Sequence, residues 1–542
     1  MIHAIWHILN ATIKNRRIDR FMSGVFDKKT EKVNRREERE LKELKEKRKI
    51  RRIATIVLLV FVLLVGGALF INSKYIRRAL PAITIGSKDF SAVEFDYFYN
   101  NAYKEYESYF STNFGDYAAS YLPNTDAPHS SQTYNEETGE SWADYFNDYT
   151  ITQLTELVQY YTAAKEAGFT ISQDVRETIE NEIANYRQYA EMYGYPSLDA
   201  FLQAAFENYT NEKSLRGILD FVGLASSYSE YIMKSFTYSP EELAEYYSEN
   251  KDSLDSFTYR YFLYRAETVS SEDYETDEEY EAANSDALAA ANEESAVIVA
   301  DIESEEDFIA AAREYSEEEF ENPDSTLKIY PGSWLGDTYG PWLQEEERVY
   351  GDVTAIDTTN GTYIIYFVNR DPNEYLMVEM NQILITRPEY SPDDFEAGED
   401  DPEYQELVGS ADQDARERAE DVMNLFIERG ATKEALLDMM EEYSDDSVEE
   451  GFYDSITMNS ANNKKPPEIE EWLFTPGRQI GDYELIRTEE SGYHIVYFAG
   501  YGDRYCDYLA DQGMREADYN AWKESLPEVQ SEKHWAFMFA SH

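Results

Sequence analysis

Six histidines, one cysteine and a large excess of carboxylates are what this 542-residue chain offers to chemistry. His3 and His7 precede a long apolar run, and His129, His534 and His542 lie in loop or tail sequence, so none completes a zinc-ligand pattern. Cys506 is alone, which rules out an intramolecular disulfide and a thiol pair. There is no Gly-x-Ser-x-Gly elbow for a serine nucleophile and no glycine-rich loop for phosphates. Glu399, Asp400 and Asp401 cluster without the Asp-x-Asp-x-Asp-Gly pattern of a calcium loop and read as a solvated acidic turn. No metal and no cofactor are expected. What is left is His494, inside a strand-like segment where a lone imidazole is ordinarily a structural hydrogen-bonding group.

That segment belongs to a duplication. Residues 481–498 (Gly-Asp-Tyr-Glu-Leu-Ile-Arg-Thr-Glu-Glu-Ser-Gly-Tyr-His-Ile-Val-Tyr-Phe) nearly repeat residues 351–367, and Trp342-Leu343 answers Trp472-Leu473 at the same offset. Glu314-Tyr315-Ser316 answers Glu442-Tyr443-Ser444. A period this long means two tandem globular units, not a solenoid. The pattern predicts a strand, two helices and a hairpin over 259–264, 278–303, 305–315 and 351–368 in the first, and the same order in the second, with strand 377–385, an acidic loop over 387–412, helices 413–429 and 432–443, a loop and short helix through Phe474, and hairpin 483–498. Each unit is expected to be α+β, with helices on a small, mostly antiparallel sheet.

Ahead of them, residues 80–255 read as mainly helical. Phe95, Phe98, Tyr99 and Tyr103 recur at helical spacing, as do Leu154, Leu157, Val158 and Tyr161, and then Val175, Ile179 and Ile183 behind a capping Ser172. Further helices fit 198–209 and 212–236. Ser239-Pro240-Glu241-Glu242 has the N-cap, N1 proline and N3 glutamate of a capping box. The tail, 504–542, carries one more helical pattern over 516–526, which is expected to dock on the helical domain.

Charge divides the chain sharply. Residues 53–72 are uncharged and long enough to cross a bilayer as a helix. Residues 1–52 hold 17 Lys/Arg against 8 Asp/Glu, whereas the chain beyond the apolar run holds 31 against 100. The basic side is expected to face the cytoplasm and the acidic bulk to lie outside, on an uncleaved signal anchor with one span in the cell membrane. No cysteine lies just after the span, which argues against a lipid anchor. A net charge of −69 on the outer part argues against nucleic acid as its partner.

The second unit resembles a parvulin-type peptidyl-prolyl isomerase domain. The resemblance rests on Met380-Asn381-Gln382-Ile383-Leu384-Ile385, Glu442-Tyr443-Ser444-Asp445-Asp446, Glu468-Ile469-Glu470-Glu471-Trp472-Leu473-Phe474 and Ser491-Gly492-Tyr493-His494-Ile495. The helical part is similar to the chaperone portion of SurA- and PrsA-type foldases through 161–172 and 245–251. The organisation implied is a basic cytoplasmic segment (1–52), an anchor (53–72), a helical chaperone domain (80–255), a degenerate parvulin-like domain (256–371), a second parvulin-like domain (376–503) and a helical tail (504–542).

Such domains, the resemblance implies, rotate X-Pro bonds without covalent chemistry, over an intrinsic barrier of about 18–20 kcal/mol. The family's two facing histidines map to Gln382 and His494, its Cys/Asp position to Asp446, and its proline pocket to Lys465, Ile469 and Phe474. Gln382 stands in place of a histidine and Lys465 in place of an apolar residue. In the first unit Tyr261 and Tyr363 take the histidine places, Glu318 the Cys/Asp place and Gln344 that of Phe474, so that unit is expected to bind without catalysing. The implied activity is that of a membrane-anchored extracytoplasmic foldase acting on unfolded or proline-containing secreted polypeptides, with isomerisation in the second unit. Two alternatives differ in class: a non-enzymatic holdase or scaffold with both units inactive, and an envelope sensor signalling through residues 1–52.

Overall fold

The computed structural model describes residues 42, 49, 51–65 and 73–540, except 207, 271–272, 316–322, 393–394, 396, 449–450, 459–464 and 490. Residues 51–65 are helical, and Ile53 to Val65 are exposed. Among the described residues no helix is long and apolar enough to cross a membrane. Residues 66–72 of the expected span, and nearly all of the basic 1–52 segment, lie outside the described residues.

The chain divides into two compact units, Met1–Glu230 with Leu526–His542, and Tyr231–Ser525. In the first, strand β1 (Pro81–Ile85) pairs antiparallel with β2 (Lys88–Ser91) and with the three-residue strand Ser531–Lys533. Helices Ala92–Phe114 and Trp142–Glu166 pack on this sheet, a small hairpin, β3 (Thr133–Asn135) and β4 (Glu140–Ser141), precedes the second of them, and helices Gln173–Met192, Leu198–Ala205 and Glu212–Ser235 follow, the last running past the unit boundary at Glu230. Ile83, Ile85, Phe90, Phe95, Phe146, Leu154 and Phe221 form the core. Ser91 and Ser141 start their helices with reciprocal capping boxes, and Ser172 accepts from Val175 N as the sequence implied.

The second unit holds two four-stranded antiparallel sheets. The first comprises β5 (Ser256–Arg265), β6 (Leu327–Pro331), β7 (Val353–Thr358) and β8 (Gly361–Asp371), in the order β6-β5-β8-β7. The next comprises β9 (Leu376–Thr386), β10 (Phe452–Ile456), β11 (Tyr483–Thr488) and β12 (Gly492–Arg504), in the order β10-β9-β12-β11. The duplicated sequence therefore carries a duplicated strand order. The hairpin glycines show why one residue type recurs: Gly361 and Gly492 have φ of +140° and +119°, and a Cβ would lie 2.2 Å from Tyr264 O or 2.5 Å from Ile385 O.

Each sheet buries one face under a pair of helices. Phe262, Ile364 and Tyr366 meet Ile298 and Phe308 of Asp277–Asp301 and Glu305–Tyr315. Ile383, Ile385 and Ile495 meet Ala419, Phe426 and Leu436 of Pro402–Glu428 and Lys433–Tyr443. The loop expected over 387–412 is shorter in the fold, because the helix starts at Pro402. Asp401 caps it by accepting from Glu403 N at 2.9 Å, and proline at N1 loses no hydrogen bond there.

The compact units also end elsewhere than the sequence-based boundaries. The capping box at Ser239 is present, but its helix, Pro240–Leu254, belongs with the sheets. Asp252 and Asp255 hold Arg370 at 2.7 and 2.6 Å, tying that helix to the end of β8. The tail splits as well. Helix Tyr505–Ser525 stays with the sheets, where Tyr505 N donates to Tyr375 O and Cys506 N to Asn373 O, and only residues 526–542 join the helical unit. There His534 N donates to Ala82 O, and Phe537 packs on Phe95 at 4.9 Å.

Candidate functional site

Strand alternation puts the candidate residues on one face of the second sheet, opposite its helices. Val496 lies across from Gln382, and His494 across from Leu384, so Gln382 and His494 are diagonal neighbours on that face. Asp446 arrives from the segment after helix Lys433–Tyr443, which is stitched to β9. Leu384 N and Asp446 N both donate to Ser444 Oγ at 3.1 Å, Asp445 N donates to Leu384 O, and Thr386 donates to the Asp445 carboxylate. The Glu442-to-Asp446 motif is thus a clasp that aims one carboxylate at Gln382.

The side chains form one chain of hydrogen bonds. Gln382 Nε2 donates to Asp446 Oδ2 at 2.7 Å, because a carboxylate only accepts, and this turns Gln382 Oε1 toward His494 Nδ1 at 3.0 Å. His494 Nδ1 must then carry the proton. Its Nε2 is left to accept from Thr488 Oγ1 at 3.1 Å. Tyr453 closes the other end, its hydroxyl 3.1 and 2.9 Å from the two Asp446 oxygens and 3.3 Å from Gln382 Nε2. Both ring nitrogens of His494 are occupied by protein, and His494 and Gln382 are only 3% and 4% exposed.

Electrostatics agree with a neutral imidazole. Burial, and then the nearby Lys465 ammonium, push His494 down to about 4, against the opposing pull of Asp446 and Glu468. Burial also lowers Lys465 to about 8, with Asp446 holding it up. That ammonium sits over the Tyr453 ring, 2.9 Å from its centroid. Burial and the Asp446 carboxylate raise the Tyr453 phenol.

The remaining sequence-derived positions divide. Lys465 and Phe474 line an open cleft of about 690 Å³ together with Met458, Pro467, Glu470 and Pro476. Ile469 does not line it: helix Pro467–Leu473 turns Ile469, Trp472 and Leu473 inward at i, i+3 and i+4, and Ile469 is fully buried against Val496 and Phe498. Two members of the network escaped the sequence reading. Thr488 was accessible, since the hairpin register sets it opposite Gly492, two residues from His494 on the same face. Tyr453 had no local pattern to mark it.

In the first sheet the same diagonal is filled by Tyr261 and Tyr363, paired across from Ile365 and Leu263. Their rings lie 5.8 Å apart and both pack on Tyr339, at 6.1 and 5.7 Å. Gln344 donates to Asp252 O and Gly332 O, a structural role unlike that of Phe474. Glu318 lies outside the described residues. Among the described residues no cluster of His, Cys, Asp and Glu could hold a metal ion.

No protein-family description matches the chain, and no curated protein is similar to it. Among solved structures, the chain is similar to the peptidylprolyl isomerase PrsA of Bacillus anthracis, with 14% identity over 49% of this chain and 97% of that one and a TM-score of 0.21. A structure of the SurA-like chaperones PEB4 and Cj1289 of Campylobacter jejuni gives 15% identity over 36% and 67%, with a TM-score of 0.15. PrsA of Bacillus subtilis gives 13% over 58% and 93%, also with a TM-score of 0.15. Likenesses of this size establish nothing about the site, whose chemistry rests on its own residues.

Proposed function

We propose that this chain is a foldase-type chaperone that holds unfolded segments of exported proteins, with its two parvulin-like sheets serving as binding scaffolds. It is tethered to the cell membrane through residues 53–72, with the basic segment in the cytoplasm and the acidic bulk outside. The observation that carries the holding role is that the diagonal where the resemblance puts a catalytic pair is filled, in both sheets, by side chains engaged with one another. In the second sheet, Thr488, His494, Gln382, Asp446 and Tyr453 satisfy each other. A buried imidazole pushed down to about 4, with both nitrogens bonded, is a poor proton carrier at neutral pH. In the first sheet, three packed tyrosines offer apolar area with polar tips.

A second reading, peptidyl-prolyl isomerisation in the second sheet, is favoured by one observation: Lys465 links the polar network to an open cleft bearing Phe474, because its ammonium covers Tyr453 while its side chain lines the cleft. The two readings separate in one experiment on the full chain in detergent. Light scattering of an aggregating client and NMR exchange on a panel of proline peptides are measured for the native chain and for His494→Ala and Phe474→Ala. Holding predicts suppressed aggregation that survives both substitutions, with no accelerated exchange. Acceleration that disappears with Phe474→Ala would install the isomerase, and a chain that suppresses no aggregation would remove the holdase.

A further inference from the structure

Resting on the holdase reading, we infer that the helical unit carries the docking surface for client chains, and that this surface selects cationic segments in which Lys or Arg alternates with apolar residues. The observation is a run of aromatic rings across helices Ala92–Phe114 and Trp142–Glu166. Tyr149 follows Tyr145 at 6.3 Å, Tyr145 stacks on Tyr134 at 4.2 Å and meets Tyr106 at 5.9 Å, Tyr106 meets Phe110 at 4.7 Å, and Phe110 stacks on Tyr121 at 5.1 Å. Tyr149, Tyr134 and Tyr121 are 37%, 39% and 45% exposed, so the run rests on the core through Tyr106 and Tyr145 and opens to solvent at these three rings. The path from ring centre to ring centre between Tyr149 and Tyr121 totals about 22 Å, so the run spans at most the reach of roughly six or seven extended residues.

The choice of occupant comes from charge. Residues 92–160 contain Lys104 as their one Lys or Arg, against twelve Asp and Glu. Glu140 is close enough to Tyr145 to raise its phenol, after the larger effect of burial and of neighbouring tyrosines. Aromatic faces carry negative potential and attract ammonium and guanidinium groups, an attraction of about 0.5–1 kcal/mol at exposed sites. Carboxylates around the same rings add a longer-range pull on the same charge. An acidic segment would meet repulsion from both, and a neutral apolar segment would gain only ring contact. Flat, stacked rings impose little sequence demand beyond charge and apolar area, as suits a surface that meets many unfolded chains.

The test uses the full chain in detergent and fluorescently labelled nine-residue peptides of one apolar framework carrying three Arg, three Gln or three Glu. Anisotropy titrations are expected to show the Arg peptide binding at least tenfold tighter than the Gln peptide, and the Glu peptide weakest. The Arg advantage should shrink severalfold as salt is raised. The combined variant Tyr121→Ser, Tyr134→Ser, Tyr149→Ser removes exposed phenols and is expected to weaken the Arg peptide at least tenfold. Glu136→Gln, Glu137→Gln, Glu140→Gln leaves the rings intact and is expected to remove most of the salt dependence. Equal affinity for the Arg and Gln peptides, or a tyrosine variant that binds like the native chain, would overturn the inference. Aggregation suppression measured in parallel keeps the two claims apart: suppression without Arg preference overturns the cationic surface and leaves the holdase standing, whereas Arg preference without suppression does the reverse.

Discussion

His494 Nδ1 faces Gln382 Oε1 at 3.0 Å across adjacent strands, and the Asp446 carboxylate on the far side of that amide fixes which atom of Gln382 points where. A glutamine in this position makes a one-way relay of donors, from imidazole to amide to carboxylate. Two facing imidazoles could exchange a proton between them, but an amide does not accept one in the working pH range.

The neutral state of His494 makes local stability depend on pH with a definite sign. Its folded value is about 4 against 6.5 unfolded, so the unfolded chain binds more protons between those values. The stabilisation is whole above pH 6.5, declines as the pH falls, and is spent below 4. Between pH 7 and 5 the expected loss is about 2 kcal/mol. Hydrogen exchange of β12 amides in the native chain and in His494→Leu measures it; an equal decline in both would show that the imidazole is not responsible.

Two substitutions should move the His494 titration in opposite directions. Lys465→Met removes a cation that depresses the imidazole, so its titration, followed by NMR of the ring Cε1 proton, should rise toward 6.5. Asp446→Asn removes an anion that supports the charged form, and the titration should fall further. Shifts of the same sign in both variants would mean that repacking, not charge, governs this imidazole.

Thr488→Val keeps the shape of the side chain and withdraws the donor to His494 Nε2. Leaving a buried acceptor unpaired should cost about 1–3 kcal/mol, and Thr488→Ser should recover most of it. Thermal unfolding of the two variants provides the comparison. Equal stability of the Val and Ser forms would show that water reaches Nε2.

The duplication reaches down to single contacts. Arg348 lies over Trp342 and Arg478 over Trp472, each at 3.9 Å, and each arginine also reaches an aspartate four residues on, Asp352 or Asp482. Arg348→Leu and Arg478→Leu should each lose about 1–2 kcal/mol of local stability, confined to its own sheet. Hydrogen exchange resolved to β7–β8 and β11–β12 is the readout, and a loss shared by both sheets from either substitution would contradict it.

The sequence by itself determined what depends on short separation. The repeat located both hairpins, the capping serines located their helix starts, and the resemblance paired Gln382 with His494, while the β9–β12 register is what puts the two on a common face. It also marked Asp446, through the motif that clasps β9. Only the tertiary structure decided which groups complete the network and which residue is withdrawn from the cleft. Tyr453 reaches Gln382, 71 residues away, from an edge strand while also meeting Asp446, and Ile469 turns into the core against β12. The return of Ser531–Lys533 to β1 was equally hidden. A three-residue edge strand with every side chain exposed has no apolar alternation to read, and its partner lies some 450 residues away, so its place follows from backbone hydrogen bonding to an available edge and not from its own residues.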